Sequence, residues 1–72
     1  MEINVEADFV KLHRDEGESW GWGIVSYSQM INGKQQSIEV TVLLDNLSVP
    51  ADRLMEIALM KADAFLIAVA NR

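Results

Sequence analysis

The chain is 72 residues long, carries a formal net charge of −5, contains no cysteine and one histidine, and is half apolar. These figures exclude a disulfide framework and a thiolate metal site, make an all-protein zinc site untenable, and argue against a phosphate-tracking nucleic-acid binder, which needs a basic face. Seventy-two residues form one domain near the lower limit for a self-sufficient core, so an apolar half is more than one small core hides, and oligomerisation is the remaining way to bury the surplus.

The N-terminus, Met1-Glu2-Ile3-Asn4, has no basic region followed by an apolar stretch, so a cytoplasmic location is expected. Residues 2–12 alternate, with Ile3, Val5, Ala7 and Phe9 on one side and Asn4, Glu6 and Asp8 on the other, which is the pattern of a half-buried strand. A charged turn around Arg14 to Glu18 follows, with Gly17 inside it. Ser19 to Ile31 reads as a second strand, unusual for its Trp20-Gly21-Trp22-Gly23 run. Asn32-Gly33 is the signature of a two-residue type I′ hairpin, and Gln36 to Asp45 is the third strand.

Pro50 to Asn71 is the one long helical pattern. Pro50 suits the first helical turn, Ser48 is the expected cap, and Asp52 places negative charge near the positive end of the helix dipole. Leu54, Ala58, Ala62, Phe65 and Val69 form the stripe meant for the sheet, flanked by Met55, Leu59 and Leu66. Met60 and Ile67 fall on the opposite, otherwise polar face, which marks a second seam. The apolar run from Ala64 to Ala70 is far too short to span a bilayer.

The expected fold is therefore α+β: residues 1–72 as a single βββα domain, a three-stranded antiparallel meander in order 1-2-3 with one C-terminal helix packed on one face. A two-residue turn at Asn32-Gly33 pairs Tyr27 with Ile38, Val25 with Val40 and Gly23 with Val42. A turn over Arg14–Glu18 pairs His13 with Ser19, Phe9 with Gly23 and Val5 with Tyr27. Paired residues share a face, so both hairpins put Ile3, Val5, Ala7, Phe9, Val25, Tyr27, Ile38, Val40, Val42 and Leu44 under the helix. Gly21 and Gly23 leave room there for Phe9 and Phe65.

The same register gathers Val10, Leu12, Trp20, Trp22, Ile24 and Leu43 on the other face, with Glu6, Asp8 and Glu39 nearby. One helix cannot cover both faces of a sheet, and contiguous exposed apolar patches mark interaction sites. A bulge near Phe9-Val10 or Gly21 would instead turn one tryptophan into the core. The third strand, with no proline and little charge, is a poorly protected edge.

Chemical motifs are weak. Gly21-Trp22-Gly23 lies inside a strand and opens no helix, so it cradles no phosphate, and Ser19 beside His13 lacks an orienting acid. No catalytic residue, cofactor or metal ligand is assigned. The expected function is that of a small non-enzymatic interaction protein, a homodimer with a second protein partner and no direct contact with nucleic acid or membrane. Its contact surfaces are Val10, Leu12, Trp20, Trp22, Ile24 and Leu43 on the sheet, the third-strand edge, and the Met60/Ile67 helix seam. Two alternatives stand beside it: an acidic inhibitor of mobile-element type that blocks a basic nucleic-acid-binding surface of its target, and a small oligomeric enzyme with Glu6, Asp8, Glu39 or His13 in an intersubunit cleft.

Overall fold

A computed structural model describes residues 2–15 and 18–72, without the side chains of Lys11, Arg14, Asp15 and Glu18. The chain is α+β, an antiparallel sheet followed by a C-terminal helix. Strands β1 (Asn4–Asp15), β2 (Glu18–Ile31) and β3 (Lys34–Leu44) lie in the order β1-β2-β3, and α1 spans Ala51–Ala70. The turn expected over Arg14–Glu18 is shorter: Arg14 pairs with Ser19 and Asp15 with Glu18, so Arg14, Asp15 and Glu18 are strand residues, and Glu16 and Gly17 lie outside the described residues. At the second turn Asn32 (φ 52°) and Gly33 (φ 78°) both adopt the left-handed conformation that a type I′ turn demands, and Ile31 pairs with Lys34.

The β2–β3 register follows the sequence reading throughout, from Ile31–Lys34 to Gly21–Leu44. The β1–β2 register follows it from Asn4–Ser28 to Val10–Trp22 and then departs. Between Val10 and Leu12 the pairing slips by one residue, so Lys11 is the extra member of a β-bulge. Beyond the bulge His13 pairs with Trp20 rather than Ser19, and Leu12 pairs with Gly21. Leu12 therefore lies on the helix side of the sheet, not among the tryptophans, because the side-chain alternation reverses at the extra residue. Being on β1, the bulge leaves both tryptophans where they were.

The core sits between α1 and one end of the sheet. Val25, Val40, Val42 and Leu44 from the strands meet Leu54, Ala58 and Ala62 from the helix, with Leu47 from the connecting loop. Gly23 and Ala58 make this approach possible: a Cβ added at Gly23 would stand 3.5 Å from the Ala58 Cβ. The loop is anchored by the Leu47 amide, which donates to Ser19 Oγ at 3.1 Å, so Ser19 serves the fold. Ser48 does not cap the helix; its amide and hydroxyl both donate to Asn46 Oδ1, and Pro50 occupies the cap position itself.

The other end of the sheet is uncovered. Ile3, Val5 and Ile38 were expected beneath the helix, yet all three are exposed, as are Phe65 and Val69 of the helix stripe. The reason is geometric. A 20-residue helix is about 30 Å long, whereas the 14 residues of β2 extend about 46 Å and the sheet twists as it goes. A straight rod meets a longer twisted surface over part of its length only. Phe65 consequently does not fill the space at Gly23; it overhangs Thr41, Val42 and Leu43 on β3 and is 56% exposed. No helix among the described residues is long and apolar enough to cross a membrane.

Candidate functional site

Even-numbered β2 residues face away from α1, and their neighbours make a graded surface. His13 and Trp20 form the first rung. Val10, Trp22 and Leu43 form the next, then Asp8, Ile24 and Thr41, then Glu6, Ser26 and Glu39, then Asn4, Ser28 and Ser37. One end of this open face is thus aromatic and aliphatic, the middle is acidic, and the far end is uncharged and polar.

The aromatic end is ordered by ring packing. The His13 imidazole stacks on the Trp20 indole at 4.4 Å between centroids, and Trp20 meets Trp22 edge-on at 5.9 Å. Trp20, Ile24 and His13 are half-buried by their neighbours, while Trp22 retains 37% of its surface and Val10 and Leu43 are exposed. Among the sheet residues anticipated from sequence, five come together here: Val10, Trp20, Trp22, Ile24 and Leu43. Leu12 is displaced to the other face by the bulge, and His13 takes its place. The bulge weighed near Phe9-Val10 is what brings His13 here, a consequence that the sequence reading did not draw from it.

Below the aromatic end, Glu6, Asp8, Val10, Ile24, Ser26 and Glu39 border an open hollow of about 260 Å³. Glu6 and Glu39 flank Ser26 from opposite strands. His13 lies two rungs from Asp8 and three from Glu6 and Glu39, so it pairs with none of these three carboxylates. Met60 (69%) and Ile67 (61%) are open to solvent on the outer side of α1, where the sequence placed them.

On the helix side, the Tyr27 hydroxyl donates to Asp63 Oδ1 at 2.8 Å and ties α1 to β2. Burial, the hydrogen bond to Asp63 and the Asp63 charge together push its pKa from 10 to about 12.

Comparison with protein-family models, curated proteins and solved structures gives no match. The class stated above, an α+β chain of antiparallel sheet plus C-terminal helix, is accordingly defined by its own geometry.

Proposed function

We propose that this chain is a small protein-interaction module that associates with itself and holds a second protein on its tryptophan face. The observation carrying this reading is surface area. A compact folded monomer of 8.1 kDa exposes about 4,500 Å², whereas this protomer exposes 5616 Å². The excess, roughly 1,100 Å², is of the size that a standard interface removes from one partner, about 800 Å². The radius of gyration points the same way, 14.0 Å against about 11 Å for a compact domain of this length.

The open face has the anatomy of a binding surface: a tryptophan at the centre of aliphatic neighbours, with carboxylates along one side as a polar rim. Affinity capture from the native host tests the reading, with wild-type and Trp22→Glu chains as bait. A protein retained by the first and lost from the second supports it; identical retention by both counts against it. A second reading, the acidic inhibitor of a basic surface, is favoured by the Glu6–Ser26–Glu39 rung and Asp8 beside the tryptophan cluster. Its mark is partner binding that falls steeply with added salt, because charge attraction is screened.

A further inference from the structure

The sheet has two edges, and they differ. An antiparallel ladder turns the amide and carbonyl of alternate residues outward. Because the tight turn closes on Ile31–Lys34, the pairs Gln36–Gln29, Ile38–Tyr27, Val40–Val25 and Val42–Gly23 carry the β2–β3 bonds. Gln35, Ser37, Glu39, Thr41 and Leu43 then point their backbone groups away from the sheet. The Leu43 carbonyl agrees: it accepts from Lys61 Nζ at 2.8 Å, across the outside of the strand.

The β1 edge is spoiled for pairing. It carries the bulge, and its outward Phe9 amide is already satisfied by Asp8 Oδ1 at 2.8 Å. Bulges and edge charges are the standard defences of a natural sheet. By contrast, β3 pairs without a bulge over Lys34–Leu44, has no proline, and bears charge only at Lys34 and Glu39. From Gln35 to Thr41 its outward groups have no partner within the chain among the described residues.

Part of the uncovered apolar surface lies beside that same edge. Ile38 is 51% exposed on β3, and Phe65 roofs a groove of about 230 Å³ bordered by Thr41, Val42, Leu43 and Lys61. Val69 continues the roof one helical turn further on. A strand added to β3 would enter beneath Phe65 and lie against Ile38.

We infer that β3 is the self-association seam: a second copy of this chain adds its own β3 antiparallel to the first, about a two-fold axis near Ile38. This deepens the interaction reading and rests on it. The second copy is the occupant because the surface excess matches one protomer's share of a dimer. An isologous pairing also presents the same clean edge and apolar roof from both sides. An axis near Ile38 keeps the two Glu39 carboxylates from standing directly opposite each other, which like charges disfavour. The six-stranded sheet so formed leaves the tryptophan faces of both copies open on one side for the second partner.

The test is amide hydrogen exchange by NMR on the full chain, with solution mass measured by light scattering on the same sample. The expected result is a dimer in which the Ser37, Glu39 and Thr41 amides exchange at least tenfold more slowly than the outward Val5 and Ala7 amides of β1. Ile38→Lys, an exposed position with no role in the monomer core, then loses the dimer mass and the protection while keeping the wild-type circular dichroism. A dimer whose Ser37, Glu39 and Thr41 amides exchange as fast as those of β1 overturns the seam and leaves the interaction reading standing. A monomer at every concentration overturns both.

Discussion

Ala58 packs directly over Gly23, and that approach can be probed by filling the gap. A Cβ built on Gly23 lies 3.5 Å from the Ala58 Cβ, 3.5 Å from Leu44 Cδ1 and 3.5 Å from Val42 Cγ2, which is ordinary van der Waals contact. Gly23 has no left-handed backbone to protect, so alanine fits the existing conformation. Gly23→Ala removes about 0.5–1 kcal/mol of backbone entropy from the cost of ordering a strand residue and buries one methyl group, about 0.8 kcal/mol. Allowing for small adjustments, the net expectation is a gain of about 1 kcal/mol, a rise in Tm of about 4–8 °C for a domain this size. Gly23→Leu sends three further carbons into the space held by Ala58 and costs about 1–3 kcal/mol by overpacking. Urea unfolding at one fixed protein concentration measures both, since self-association shifts apparent stability. Loss of more than 1 kcal/mol in Gly23→Ala would refute the register and the seating of the helix together.

Three further expectations follow from the same geometry. Leu44→Ala, at 1% exposure, costs about 2–5 kcal/mol, whereas Trp22→Glu costs less than Leu44→Ala and chiefly abolishes partner capture; equal unfolding by both in a denaturant series would place the indole in the core. Tyr27 gains a folded-state pKa of about 12 against 10, so its contribution is fully present below pH 10 and is lost as pH rises through 12. Solvent screening holds that contribution to about 1 kcal/mol, and in Tyr27→Phe this alkaline loss disappears from the stability–pH profile. Asn32→Ala, at φ 52°, costs about 1 kcal/mol by forcing a Cβ-bearing residue without a local hydrogen-bonding side chain into the left-handed region, which thermal unfolding reads directly.

The α+β class, the Asn32-Gly33 turn and nearly all of the pairing were legible because local chemistry dictates them: alternation with period two, a turn that needs two positive φ values, a helix that needs period 3.6. The bulge was legible only as an alternative near Phe9-Val10, expected to turn a tryptophan into the core; it lies between Val10 and Leu12 and turns none, because the first hairpin closes on Asp15–Glu18 and the extra residue falls on β1. That one residue moved Leu12 off the open face and brought His13 onto it. The extent of the core was also hidden. Ile3, Val5 and Ile38 have the right parity for burial, and Phe65 and Val69 lie on the right side of the helix, but parity says nothing about relative length and twist. Leu47 was missed for the opposite reason: it lies in an irregular loop with no period to betray it, and is buried because Ser19 holds the loop down.

The surface that this protomer exposes beyond that of a compact monomer is the ground for the proposed dimer. Sedimentation equilibrium over a concentration series tests it most directly. The expected mass rises with concentration to a plateau at twice the chain mass of 8.1 kDa. A single species that holds at 8.1 kDa across the whole series would contradict it.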